Sequence, residues 1–151
     1  MPIRVTLQGL SEVRGTLPDI APEVQRRVIF GLSQAAFDEV EAGAGRHTRA
    51  GGTGALRQSV FNRATPNGDG RTVGHDLQRA PHALWVNAGT RPHVIRPKNK
   101  KALRWAFGGR FFFAKKVNHP GYGGDAYVVF AATAAMSQFD AILDRAMKGT
   151  P

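Results

Sequence analysis

From Leu77 to Gly124 the chain carries no carboxylate, yet Arg79, Arg91, Arg96, Lys98, Lys100, Lys101, Arg104, Arg110, Lys115 and Lys116 place ten cations in that stretch. A segment of one sign cannot neutralise itself by internal ion pairs, and an unpaired charge is not buried. These side chains must therefore face water or a partner. The rest of the chain balances at eleven basic against eleven acidic residues, so the whole formal charge of +10 belongs to this one segment. That is a localised positive surface rather than a uniformly basic protein.

The same segment carries the clearest turn chemistry. Pro92 and Pro97 bracket His93 to Arg96, an extended piece that must be short and near a sheet edge. Lys98 to Lys101 is a basic loop. Leu103, Trp105 and Phe107 then alternate with Ala102, Arg104 and Ala106 as a strand does. Gly108-Gly109 closes a two-residue hairpin of the primed type, and Arg110 to Val117 returns. Consecutive Phe111, Phe112 and Phe113 put aromatic surface on both faces, which predicts a central or helix-covered strand. On that reading Leu103, Trp105 and the phenylalanines pack a core, with Lys98, Lys100, Lys101, Lys115 and Lys116 outside it. Asn118 to Gly124 is a loop whose backbone Pro120 and Gly121 fix, with Tyr122 packed beneath.

Before this segment, Ile3, Val5 and Leu7 alternate with Arg4, Thr6 and Gln8, a half-buried strand followed by a turn from Gly9 to Gly15. Asp19 is placed to cap a long helix with Pro22 and Glu23 in its first turns. Val24, Val28, Leu32, Ala35, Ala36 and Val40 supply its apolar stripe, and it runs to about Ala44 with Gly45 as the stop. His47 to Gly54 is a polar, glycine-rich connection. Thr53 caps a single turn through Leu56, and Ser59 to Arg63 pairs with Arg71 to Leu77 across the Pro66-Asn67-Gly68-Asp69-Gly70 turn. Pro81 opens a short helix through Ala88, ended by Gly89 in the left-handed region. Asp125 caps a last helix, Ala126 to Met147, with Phe130, Ala134, Ile142, Leu143 and Ala146 among its buried positions. The expected fold is α+β: a small, mainly antiparallel sheet packed against a long N-terminal helix and a C-terminal helix, in one domain spanning 1–151.

Composition narrows the chemistry. With no cysteine among 151 residues, disulfides, thiolate metal sites and a cysteine nucleophile are all excluded. The N-terminus lacks the apolar stretch of a signal peptide, and no apolar run approaches the roughly 20 residues that span a bilayer. A soluble protein with no membrane partner is expected. His47, His75, His82, His93 and His119 include no pair at the i, i+4 spacing of helical metal ligands. Ser11, Ser33, Ser59 and Ser137 lack a nucleophile-elbow context, and no phosphate-binding glycine motif follows a strand. No catalytic residue, metal, cofactor or small-molecule substrate is expected. Cations interleaved with aromatics suit a nucleic-acid platform, but aromatics at alternate strand positions are also what a sheet core requires, and that reading is preferred.

Laid out in order, Thr53-Gly54-x-Leu56-x-x-Ser59, Gly89-Thr90-x-Pro92-His93-x-Ile95-x-Pro97-Lys98, Lys101-Ala102-Leu103, Phe113-Ala114-Lys115 and His119-Pro120-Gly121 cover about half the chain. In this order and spacing the chain resembles a family of neck and minor tail components of long-tailed bacteriophages, the group that includes proteins similar to the lambdoid minor tail protein Z. Where that family commonly has an acidic residue and an aromatic before the Gly-Thr pair, this chain has Asn87 and Ala88. The resemblance implies a non-enzymatic structural protein of the virion, made in the bacterial host cytoplasm, at the junction between DNA-filled head and tail. It implies a homo-oligomeric ring that meets head-closure or connector proteins on one side and tail-tube or tail-terminator proteins on the other, with possible non-specific contact with packaged DNA. The partner-binding residues expected are Arg91, Arg96, Lys98, Lys100, Lys101, Arg104, Arg110, Lys115 and Lys116. Loops 47–54 and 66–70 are the expected neighbour contacts, unordered until assembly. The alternative is a sequence-independent DNA-binding protein that uses the basic 91–116 surface.

Overall fold

The computed structural model describes residues 4–6, 21–48 and 52–149. Its order is β1 (Arg4–Thr6), α1 (Pro22–Arg46), α2 (Ala55–Gln58), β2 (Val60–Ala64), β3 (Arg71–His75), α3 (Ala83–Ala88), β4 (His93–Ile95), β5 (Leu103–Phe107), β6 (Arg110–Ala114), β7 (Val117–His119), α4 (Tyr127–Met136) and α5 (Phe139–Lys148). The class is α+β as expected, but the strands form three separate antiparallel sheets: β1-β3-β2, β4-β7 and β5-β6.

Helix α1 is the axis of the packing. Val28, Ala36, Val40 and Ala44 are buried along one side at helical spacing. The small residues Ala36, Val40 and Ala44 meet Tyr127, Val128, Ala131 and Ala135 of α4, and Leu56 and Val73 close the same cluster. Farther toward the N-terminus Val28 meets Ile142 and Ala146 of α5. Gly43 sets the approach of α4, because a Cβ there would lie 2.5 Å from the Tyr127 ring. Of the three sheets, β2 and β3 of the first one pack on α1.

Several expectations need correction. Gly45 does not stop α1, which continues to Arg46 with His47 as its C-cap, and the N-cap position is Ala21 rather than the expected Asp19, because Pro22 already holds the first helical position; the turn at 9–15 lies outside the described residues. Thr53 Oγ1 does accept from the Ala55 N–H at 3.3 Å, but the N-cap position is Gly54 and the helix runs on to Gln58. Helix α3 begins at Ala83, two residues after Pro81, and Gly89 has φ 78 with an extended ψ of −177, so it is not in the left-handed helical region. The last helix is two helices. Its apolar phase runs on through Val128, Ala131, Ala135, Phe139, Ile142 and Ala146, so spacing gives no sign of the break. At the break Ser137 turns its hydroxyl onto the Ala134 carbonyl at 2.7 Å and the Gln138 N–H bonds Ala135 instead of Ala134. Phe130, expected inside, is 65% exposed. The turn at 66–70 is bonded internally, with Thr65 Oγ1 accepting from the Gly70 N–H at 2.9 Å and Gly68 N–H reaching the Thr65 carbonyl at 2.9 Å; residues 49–51 of the other loop lie outside the described residues.

The largest correction concerns β5 and β6. They pair only with each other, and every residue from Arg104 to Phe113 is exposed. Strand β6 is neither central nor covered by a helix. Trp105, Phe107, Phe111 and Phe113, assigned to a core, are 43%, 76%, 59% and 67% exposed. No helix of the described residues is long and apolar enough to cross a membrane.

Candidate functional site: a cationic aromatic arm

The hairpin β5-β6 stands as an arm. Gly108 and Gly109 make its tip with φ of 57 and 74, the positive pair a primed two-residue turn requires. The register pairs Leu103 with Ala114, Trp105 with Phe112 and Phe107 with Arg110 on one face. Arg104 with Phe113 and Ala106 with Phe111 make up the other. Trp105 and Phe112 stack, with ring centroids 5.8 Å apart, and the Arg104 guanidinium lies 4.3 Å from the centre of the Phe111 ring. Apart from Arg104 and Arg110, the charge sits at the base of the arm: Lys98, Lys100 and Lys101 before it, Lys115 and Lys116 after it.

All nine expected partner-binding cations, Arg91, Arg96, Lys98, Lys100, Lys101, Arg104, Arg110, Lys115 and Lys116, are exposed. The ion pairs among the described residues lie elsewhere, at Arg27–Glu23, Arg46–Asp125, His47–Asp125, Arg57–Glu41 and Lys148–Asp144. The cationic surface that composition required is thus present, and no ion pair among the described residues neutralises it.

What holds the arm to the body is a clasp built from the glycine and proline motifs. Strand β4 pairs with β7, His93 opposite His119 and Ile95 opposite Val117. Next to this ladder Thr90 and Tyr122 exchange two main-chain hydrogen bonds, at 2.7 and 2.9 Å. Gly89-Thr90-Arg91-Pro92-His93 and His119-Pro120-Gly121 are therefore two sides of one structure. The backbones approach so closely that a Cβ on Gly89 would lie 2.3 Å from the Tyr122 carbonyl oxygen, and one on Gly121 would lie 2.6 Å from the Thr90 carbonyl oxygen. Thr90 contributes through its backbone; its Oγ1 is buried without a partner. Tyr122 does not pack beneath the loop but is 44% exposed. The His93 and His119 rings lie 5.0 Å apart, yet His93 Nδ1–H donates to the Arg91 carbonyl and His119 Nδ1 accepts from Gly121 N–H, so each ring has a local structural partner.

The body beneath the clasp contains a polar network that spacing did not reveal. Ser59 gives its hydroxyl proton to the Leu56 carbonyl at 2.6 Å, so its oxygen accepts from His75 Nδ1–H at 2.8 Å. His75 Nε2 is then left to accept from the Tyr127 hydroxyl at 2.8 Å. Burial, with His82 adding repulsion against the Leu56 carbonyl's opposite pull, lowers the His75 pKa to about 4 and keeps the ring neutral. Burial first, then the Asp125 charge, pushes the Tyr127 phenol up to about 12. Serine, histidine and tyrosine are each at most 3% exposed, so no substrate reaches them. The network is a brace between β3, α2 and α4.

Asp125, expected to cap the last helix, instead accepts from His47 Nε2 at 2.9 Å and Arg46 at 3.2 Å, and these bonds, His47's first, hold its carboxyl below the usual range. The capping role falls to Asn87, which is buried and whose Oδ1 accepts from the Val128 N–H at 3.1 Å.

Among the described residues no group of three or more histidines and carboxylates could hold a metal ion. A groove of about 940 Å³ runs beside α1, with Phe30, Ile142 and Ala146 on its walls and Arg26, Arg27, Arg71 and Arg145 against Glu23 and Asp38 at its polar positions. It brings together no nucleophile and base. No family model, curated protein or solved structure matches this chain.

Proposed function

We propose that this is a non-enzymatic structural protein of a tailed-phage virion, acting in a ring at the head–tail junction, where the arm and its cationic base dock on neighbouring subunits. The observation that carries the reading is the arm itself. Apolar aromatic surface exposed on both faces of a lone hairpin, beside nine cations with no ion-pair partner among the described residues, is the kind of patch that marks a docking site. The ordered motifs that resemble neck and minor tail components supply the setting, and two of the five, the Gly89 to Lys98 and His119 to Gly121 pieces, form the clasp that anchors the arm. Acidic protein surfaces of adjoining head-closure, connector or tail components suit the Lys98 to Lys101 and Lys115 to Lys116 base.

Mass spectrometry of particles purified from an induced lysogen that encodes the protein tests this reading. The protein is expected in intact virions, and its absence from them would sink the proposal. The exposed aromatics favour a second reading more than composition did, because stacking of bases on Trp105 and the phenylalanines is sterically open. If the surface serves phosphate, affinity for any duplex falls with salt at a log–log slope of about −0.9 per phosphate contact, and a variant with all five lysines changed to Gln gives a shallower slope. Weak binding to DNA at moderate salt, with no such change in slope, favours docking on protein.

A further inference from the structure

Among the described residues two apolar surfaces are left without a covering, and they match. Helix α4 is uncharged and, apart from the exposed Thr133, apolar on its outer side as well as its inner one. One side buries Tyr127, Val128, Ala131 and Ala135, while the other exposes Val129, Phe130 and Met136 at 56%, 65% and 48%. A helix that is apolar all round is an interior helix, so its outer side requires an occupant. The second surface is the face of the arm that carries Leu103, Trp105, Phe107 and Phe112, with Arg110 beside Phe107 at its outer end. A lone two-stranded hairpin is at best marginal in water and needs a third strand or a helix against it.

We propose that the arm of one copy lies across the outer side of α4 on the next copy, so that each subunit gives one arm and receives one. This deepens the ring reading and rests on it. The dimensions agree: a five-residue strand is about 17 Å long and a ten-residue helix about 15 Å. Charge selects the site as well. From Ala126 to Phe139 there is no charged residue, so nothing on α4 opposes a cationic arm. The chain's other apolar recess, the groove beside α1, has four arginines against two carboxylates and repels it. Giver and receiver are different surfaces, so the contact repeats head-to-tail and closes into a ring where the rotation allows, although a two-fold pair exchanging arms uses the same two surfaces. The side chains involved expose apolar area on the order of 600 Å², below the roughly 1,200 Å² of a standard stable interface. One such contact is weak, and a closed ring on its template sums several. The lysines at the base of the arm stay free for the adjoining component.

The absence of cysteine makes the test direct. Phe107→Cys places a thiol on the arm and Phe130→Cys places one on α4, both at exposed positions. The two purified variants are mixed at high concentration with a short bismaleimide linker, after unchanged thermal melting shows that both fold. Cross-linked dimer in the mixture, with only traces in either variant alone, is the expected result. Equal yield from Phe107→Cys alone, equal yield from Phe130→Cys alone, or no dimer in any sample each overturns the proposal. Particles keep the two readings apart. If virions contain the protein but the double variant in them stays uncross-linked, the arm contact fails and the virion reading stands. If the mixture cross-links but no particle contains the protein, the reverse holds.

Discussion

The packed body around α1 and the arm β5-β6 are built from similar residues under opposite rules. In the body polar groups answer one another: Ser59, His75 and Tyr127 are linked in one network, Asn87 caps α4, and Asp125 takes Arg46 and His47. In the arm and at its base no cation has an ion-pair partner among the described residues; Arg104 lies over the Phe111 ring and Trp105 stacks on Phe112. Buried polar groups without partners are too costly to keep, whereas exposed apolar groups cost little individually and remain available. The body is therefore specified by its own contacts and the arm by contacts with something else.

The largest test sets one glycine against another. Gly89→Ala forces a side chain at φ 78 into the Tyr122 carbonyl and should destabilise the protein by about 3 kcal/mol in urea titration. Gly108→Ala meets open space at φ 57 and should cost only about 1 kcal/mol, confined to the turn. Equal losses at the two positions would break the contrast between body and arm.

Acid separates the regions next. His75 falls from 6.5 in the unfolded chain to about 4 in the fold, so the unfolded state binds more protons between those values. Stability is complete above pH 6.5 and declines as pH drops toward 4, by about 3 kcal/mol in all. Asp125, also lowered, acts in the same direction at still lower pH. Denaturation curves at a series of pH values should show this slope in the wild type and lose it in His75→Gln, whatever the lower absolute stability of that variant. A slope that survives the substitution would assign acid sensitivity elsewhere.

Asn87→Ala removes the acceptor for the Val128 N–H and should cost about 1 kcal/mol, with Asn87→Asp recovering much of it. Failure of Asp to recover stability would mean that the Asn87 side chain contributes more than an acceptor for the Val128 N–H. The smallest expected effect on stability is in the arm. Changing Lys98, Lys100, Lys101, Lys115 and Lys116 to Gln should move stability by under about 0.5 kcal/mol each, and relief of like-charge repulsion acts to stabilise. Complementation of a phage lacking the protein should fail all the same. Normal plaques from the five-Gln variant would leave the charge as a solubility feature.

Much of this was legible beforehand. The stripe on α1, the hairpin turn at Gly108-Gly109 and the nine exposed cations follow from spacing, turn residues and sign alone. The brace at Ser59, His75 and Tyr127 was not legible, since its members lie 16 and 52 residues apart and share no motif. A lone histidine in a β-rich stretch gives no signal of which hydroxyls it will meet. The turn at Ser137-Gln138 was hidden for a different reason, because the apolar phase continues through it.

What the sequence determined by itself was which residues share a face and where charge cannot be hidden. A period of two places Trp105 with Phe107 on one side of a strand, and the lack of carboxylates from Leu77 to Gly124 puts the cations outside. What only the tertiary structure decided was which faces are covered. Three phenylalanines in a row read as interior because strands with apolar residues on both faces are interior when a sheet continues or a helix lies on them. Here the chain supplies neither: α1 is occupied by α4, α5 and the first sheet, and β5 and β6 find no third strand. Periodicity belongs to the local backbone, but burial depends on what the rest of the chain has left to offer.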